Sequence, residues 1–539
     1  MEGLADFLDD LLGSAELVAL AIGVGGLVWG AVVLRGWRPG LGAGEAAATR
    51  LCLRLSLGGA AGLLAARFAD LTVKAWLLTM TLGRWPFPAF LQAPLVVAGT
   101  LQAVLAALQV AALLWLERKP DAPLRWGVTG SLAVALLING AWLAHAVSRL
   151  EYRAALMTLT ALHESAAAVW VGGVLQMVTL WRGRERIPEL RAWWPCWLRR
   201  FAIPGAAAVV VLIGTGGLLG TAYVGSWRGL IGTSYGAVLI TKLALLATAL
   251  AYAALNHRSA RRETGAPGAP VYRRTPYLVE VEAVTLTLIV LAASTLSSQP
   301  PAIDTPDQTA SPAEVARVFT PKWPRLASPP HSAVNVSVDW MPETPEQASA
   351  GQRWSEFNHN VSGLILVAMA LLSLLAGTRF APIARLWPWG FALLGLFVLI
   401  RSDAETWPLG PVPFFSRLGD AEVLQHRIAV LLVFAIALIE FRARAPRNAG
   451  SRLAYLFPWL CLVGGGLLLT HNHSGFQLKS QYLTQISHTA MALFAILLGC
   501  GRWLELRLDG GTAVWAGRVA SGALLMIGLL LVFYRELPG

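Results

Sequence analysis

Ala161-Leu-His-Glu-Ser-Ala-Ala-Ala-Val-Trp-Val-Gly-Gly173 reads as the middle of an apolar helix carrying a histidine and a carboxylate where lipid ordinarily admits neither. Extended from Ala155 to Trp181, the stretch is long enough to cross about 30 Å of hydrocarbon. His163, Trp170 and Met177 recur every seven residues and so share one stripe of the helix. Met157 and Glu164 form a second stripe beside it. Ala166, Ala167, Ala168, Gly172 and Gly173 let neighbouring helices approach closely. An ionisable group at this depth is costly to bury, so it marks a candidate functional site. The plainer alternative is a histidine satisfied by a backbone carbonyl or by Glu164.

Working outward, the 539 residues are 56% hydrophobic and 14% charged, against about 25% charged in soluble domains. The chain is therefore expected to be an all-α polytopic membrane protein. Its net charge of +12 does not indicate a nucleic-acid partner, because the arginines sit in short loops between apolar runs. Cys52, Cys196, Cys461 and Cys500 are scattered and form no CxxC, so neither a disulfide framework nor a thiolate metal site is expected. Residues 1–10 are acidic and lack the basic start of a cleavable signal, so the first span is expected to stay in the membrane.

Apolar runs occur near 15–35, 51–81, 92–116, 126–148, 155–181, 201–222, 235–256 and 277–298. Six more follow near 359–377, 387–402, 421–441, 453–470, 484–501 and 513–534. The expectation is about 14 membrane-spanning helices, eight and then six, separated by a Pro-rich segment. Arg182, Arg184, Arg186, Arg191, Arg199 and Arg200 fall in one short loop, and Arg258, Arg261, Arg262, Arg273 and Arg274 in another. Positive-inside bias puts those loops in the cytoplasm and both termini in the periplasm or exterior. Within the long outer loop, Ala333-Val-Asn-Val-Ser-Val-Asp-Trp340 alternates as a short strand would. The domains read as 1–302, a periplasmic loop over 303–358, and a histidine-rich six-helix part over 359–539.

This topology places every one of the nine histidines except His257 toward the outer side. His145 ends the fourth span, and His163 lies in the outer half of the fifth. His331 is in the outer loop, His359 opens the ninth span, and His426 and His488 lie in the first turns of two others. His471 and His473 follow the twelfth. Imidazole is the commonest side-chain metal ligand, and thioether selects Cu(I). Met80 and Met157 lie on the same side, so copper fits better than zinc, iron–sulfur or calcium. Asn358, Asn360 and Asn472 flank histidines and could orient them. Paired histidines over 359–488 could instead ligate haem. Each histidine alone has a blander reading as an interfacial group.

Arg67, Asp70 and Lys74 share one face of the second span and read as a structural or gating ion cluster. Asp403, Glu405, Asp420 and Glu422 line an outer loop near His426 and could draw cations to it, although a solvated loop is the commoner explanation. No GxxxxGK[ST] or DKTG sequence is present, so an ATP-driven pump on this chain is not expected. No catalytic constellation appears, and the chain is not read as an enzyme.

Residues 130–302 resemble the copper resistance D (CopD) family of bacterial inner-membrane proteins. The matching pieces are Ala144-His145-Ala146, Leu162-His163 and Trp170-Val171-Gly172-Gly173. Arg199-Arg200-Phe201, Gly232-Thr233-Ser234-Tyr235-Gly236, Thr241-Lys242-Leu243 and Leu255-Asn256-His257-Arg258 follow, then Val279-Glu280-Val281-Glu282 and Ser298-Gln299-Pro300-Pro301. Ala144 stands where the family pattern has Gly, and Glu164 is not part of that pattern. The resemblance implies copper handling across the inner membrane, described as uptake beside a periplasmic copper-binding partner of the CopC type. It makes His145 and His163 candidate ligands. Typical members have eight helices, so the last six are an extension.

Together these readings give a copper transporter of the inner membrane with metal candidates at His145, His163, Met157 and Met80. A second outer set comprises His359, His426, His471, His473 and His488. A membrane haem protein, or a non-transporting anchor that delivers or senses copper, are the alternatives.

Overall fold

The computed structural model describes residues 2–35, 42–85, 87–262, 274–334, 345–375, 381–384, 386–443, 451–470 and 478–537. Among these residues the chain is built of helices, and its only bridge is an isolated one between Thr406 and Val412. The long elements of its first part are α1 (Phe7–Leu34), α2 (Gly42–Leu82), α3 (Pro94–Arg118) and α4 (Pro123–Gly140). They continue with α5 (Arg153–Gly183), α6 (Glu189–Val224), α7 (Ser234–Arg262) and α8 (Thr275–Ser298). The remainder supplies α9 (Pro345–Leu374), α10 (Trp389–Arg401), α11 (Ala421–Ala443), α12 (Leu456–Leu469), α13 (Leu478–Arg507) and α14 (Gly510–Val532).

Thirteen of these are long and apolar enough to cross a membrane, each matching an expected span. The protein is an all-α, multi-pass membrane protein. The exception is the fourth. Helix α4 is 18 residues long and stops at Gly140. The chain then turns, and His145 opens a short 3-10 turn, His145–Ser148, instead of ending a long helix. Arg125 and Asn139 lower the apolarity of α4, so it falls outside the thirteen. The expected strand over 333–340 lies mostly outside the described residues, and its start belongs to a single helical turn, His331–Val334.

The chain divides into two compact units. One comprises Leu8–Gly225 and Lys242–Ile303; the other comprises Met1–Phe7, Ser226–Thr241 and Asp304–Gly539.

In the first unit α1 and α5 meet backbone to backbone. The glycine-rich run at Gly23–Gly26 widens into π turns over Ala21–Gly25. A side chain at Gly25 would collide with Ala168 O, and one at Gly172 with Ala21 O. Small residues permit this approach in a bilayer, where close packing replaces the hydrophobic drive between helices. Gly173 receives the Phe201 ring of α6. Below it Trp194 donates to Met177 O at 3.0 Å, and Trp29 meets Trp197 edge-on at 6.3 Å. The cluster on α2 is larger than the sequence showed. Arg67 binds Asp70 at 2.8 Å and also Glu16 of α1, while Lys74 binds Asp70 at 2.8 Å and Asp9 at 2.9 Å.

In the second unit α9 and α14 also pack through glycine. A Cβ at Gly363 or Gly528 would run into the opposing backbone. Leu366, Met369, Phe391, Phe457, Met491 and Leu524 fill the core between the helices. The motif Gly232-Thr-Ser-Tyr-Gly236 is a structural corner. Ala310 N donates to Gly232 O at 2.8 Å, and Thr233 Oγ1 accepts from Gly236 N at 3.0 Å. Ser311 and Glu314 then form a capping box on the short helix Pro312–Phe319. The Lys479 ammonium, 2.6 Å from Glu314, and the Ser311 cap hold that carboxyl down at about 2 from its ordinary 4.5.

Helix α9 begins at Pro345, so His359 does not open it but sits four turns inside. The polar stretch before His359 is helix-competent and is tied down: Trp354 donates to Arg401 O at 3.1 Å, and Glu356 holds Lys322 at 2.6 Å and Arg325 at 3.0 Å.

Candidate metal-handling sites

In the first unit, His163 faces α6. Its Nδ1 lies 3.0 Å from Thr215 Oγ1. That hydroxyl already donates its proton to Val211 O at 2.7 Å. Thr215 therefore accepts from His163 Nδ1–H, and the tautomer follows: the unprotonated nitrogen is Nε2. A metal-binding imidazole needs this arrangement, with one nitrogen pinned and the other carrying the lone pair. Gly216 leaves room for the ring, because a Cβ there would stand 3.1 Å from His163 Cε1. Glu164 does not hydrogen-bond His163. It points at Gly140 of α4, and its Oε2 is buried without a hydrogen-bond partner. Lys242 of α7 is the charged group whose field reaches both Glu164 and His163.

His145 lies elsewhere. Its ring is 6.4 Å from that of Tyr223, which also carries the Arg149 guanidinium at 5.2 Å. Tyr223 is eight residues beyond Thr215 on α6, about 12 Å further along that helix. Their nearest neighbours on α6 thus lie at two levels of that helix. Met157 is half-buried on α5, and Met80 stands 58% exposed near the end of α2.

Trp170 closes the stripe below His163. It is 3% exposed, and its Nε1 donates to Glu282 Oε1 at 3.1 Å. Asn256 Nδ2 reaches the other oxygen at 2.6 Å. Met177 is equally enclosed, at 1% exposure.

In the second unit His359 and His488 come together, with ring centroids 5.4 Å apart and edge to face. Tyr534 stacks on His359 at 3.9 Å and meets His488 at 5.8 Å. His359 Nδ1 is 2.8 Å from Ser355 O, and His488 Nδ1 is 3.2 Å from Thr484 O. A carbonyl only accepts, so both rings carry a proton on Nδ1. Ser355 also donates to Glu536, which accepts from Tyr534 at 3.1 Å.

His426 is on the second turn of α11, beside Gln425, which donates to Thr470 O at 3.1 Å. His471 and His473 lie outside the described residues. Among the described residues no group of three or more His, Cys, Asp or Glu is placed to hold a metal ion. Asn358 and Asn360 do not orient the imidazoles. Asn358 bonds Arg401, and Asn360 bonds Leu531 O and Tyr534 O. Of the acidic residues over 403–422, Glu405 pairs with Arg417 and Asp403 with Arg427 at 3.8 Å.

Sequence reasoning missed Thr215, Tyr534 and Glu536. A lone threonine in an apolar helix and a tyrosine next to the C-terminus carry no pattern, and only packing reveals their partners.

Residues 195–296 match the family model described as copper resistance protein D. No curated protein and no solved structure gives a significant match. The matched residues include Thr215, Tyr223, the Gly232–Gly236 corner, Lys242, Asn256 and Glu282, each a neighbour or framework element described above. His145, His163 and Trp170 precede the match. Over this segment the chain is similar to the copper resistance D family.

Proposed function

We propose that the protein carries copper ions across the bacterial inner membrane, from periplasm to cytoplasm. The observation that carries this reading is His163, fixed by Thr215 so that Nε2 bears the lone pair inside an apolar helix pair. Copper is the cargo, and imidazole nitrogen accepts either of its oxidation states. In this reading residues 1–302 form the translocating part and residues 303–358 an outer loop. Residues 359–539 form the capture part, in which His359 and His488, with His426, His471 and His473, receive the ion. His145 would be an upper station above His163, with Met157 and Met80 as softer donors on the way. A periplasmic CopC-like protein is the proposed donor.

Copper binding to purified protein tests the ligand assignment. Wild type is expected to bind Cu(I), and His163→Ala to lose one binding class. Thr215→Val, which removes only the group that orients the ring, should weaken that class about 10–100-fold. Equal binding by all three proteins would remove His163 from the site.

A further inference from the structure

Glu282 of α8 is a carboxylate inside a membrane-spanning helix, 4% exposed and without a cation. Its two oxygens are held by neutral donors on two other helices, Trp170 Nε1 of α5 at 3.1 Å and Asn256 Nδ2 of α7 at 2.6 Å. The charged and titratable groups of the surrounding elements are committed or distant. Arg182 of α5 pairs with Glu280 at 3.3 Å. His257 and Arg258, next to Asn256, are exposed. Lys242 lies fourteen residues before Asn256 and acts on His163 and Glu164. Tyr252 is one turn before Asn256 on α7. Asp10 of α1 meets α8 at Ser294 and Ser298, three to four turns beyond Glu282. Burial and its two hydrogen bonds are what act on Glu282.

An ionised carboxylate in apolar surroundings needs compensation, and neutral donors supply only part of it. A proton supplies the rest. The contact with Asn256, at 2.6 Å, is one that either end of the amide can make. Asn256 Oδ1 is buried with no hydrogen-bond partner of its own, so nothing else fixes which end of the amide faces Glu282. Turned over, the amide oxygen would accept the proton of a neutral Glu282.

We propose that Glu282 is a proton-binding site that gates copper passage, holding Trp170 shut when ionised and loosening it when protonated. The proposal rests on the copper-transport reading and supplies its coupling ion. Trp170 lies on the same stripe as His163, seven residues further into the helix. An ionised Glu282 accepts a charge-assisted bond from Trp170 Nε1–H, about twice as strong as a neutral one. A proton arriving from the outer side moves to Oε2, where it is donated to Asn256. The bond to Trp170 weakens, and the ring is free to swing away from the stripe. The ion and the proton then travel in the same direction, and proton release toward the Arg-rich end restores the latch.

Two measurements test it separately. In pH-difference infrared spectra of copper-free protein, wild type is expected to show a titrating carboxylic C=O band that Glu282→Gln removes and Glu280→Gln leaves. Trp170→Phe should shift that band without removing it. A band unchanged in Glu282→Gln overturns the proposal whatever copper does. In vesicles, an outside-acid gradient of one pH unit should raise the initial Cu(I) entry rate of wild type several-fold. Glu282→Gln should carry Cu(I) at a rate indifferent to the gradient. A gradient response preserved in Glu282→Gln also overturns it. Wild-type vesicles that move no copper would sink the transport reading instead, leaving the infrared result to decide Glu282.

Discussion

Arg67→Ala should destabilise the first unit by about 3–5 kcal/mol, the effect of removing one partner from a buried ion pair. Arg67 is 6% exposed and bonds two carboxylates on different helices, Glu16 of α1 and Asp70 of α2. Without it both stay buried, and Lys74 can answer only Asp70, at 2.8 Å, and the outlying Asp9. Glu16 then loses its ion pair and keeps only the field of the more distant Lys74. Arg67→Lys should recover only part of the loss, because an ammonium lacks the fork that spans two acceptors. Denaturant titration of purified protein in detergent checks both variants. An Arg67→Ala protein as stable as wild type would mean the cluster is hydrated and contributes little.

Gly172→Leu should be still more damaging, to the point of losing folded protein. The new Cβ falls on the carbonyl of Ala21 and 2.8 Å from Gly25 Cα, and both are backbone atoms that cannot rotate aside. Overpacking a core ordinarily costs about 1–3 kcal/mol when side chains can adjust. Here α1 and α5 must separate as whole helices. Gly217→Ala on α6 is the matched control, since nothing lies within 4 Å of a Cβ there. It should be neutral or slightly stabilising, as alanine is about 1 kcal/mol the better helix former. Folded yield by size-exclusion chromatography separates the two outcomes, and a well-folded Gly172→Leu protein would refute the close α1–α5 contact.

Both effects show which parts of the fold the sequence could disclose. Apolar length alone located thirteen helices, because spanning hydrocarbon demands about twenty apolar residues wherever the chain crosses. It overextended α4, since Ala141 to Val147 are as apolar as a helix end but turn back at Gly140. It also began α9 at His359, because the preceding polar residues look like loop until the partners of Trp354 and Glu356, on Arg401, Lys322 and Arg325, are known. Glycine spacing on α5 signalled close packing, but not that the partner would be α1.

The candidate sites were legible as residue types and not as constellations. His359 and His488 are 129 positions apart in the chain, yet their rings are 5.4 Å apart. His145 and His163, only 18 positions apart, neighbour Tyr223 and Thr215, about 12 Å apart along α6. Sequence proximity said little about either. The hydrogen-bond partner of each Nδ1 is what places a proton there, and that partner is a carbonyl or hydroxyl with no signature of its own. The same holds for Glu282, whose donors come from α5 and α7.

Radiolabelled copper entry into vesicles bearing the purified protein tests the central claim most directly, with His163→Ala beside wild type and His257→Ala as control. Wild type and His257→Ala should accumulate copper at the same initial rate, and His163→Ala should fall at least about tenfold, one tenfold step being about 1.4 kcal/mol of lost stabilisation at the ion's crossing point. Entry through His163→Ala at the wild-type rate would contradict a copper path through the first unit.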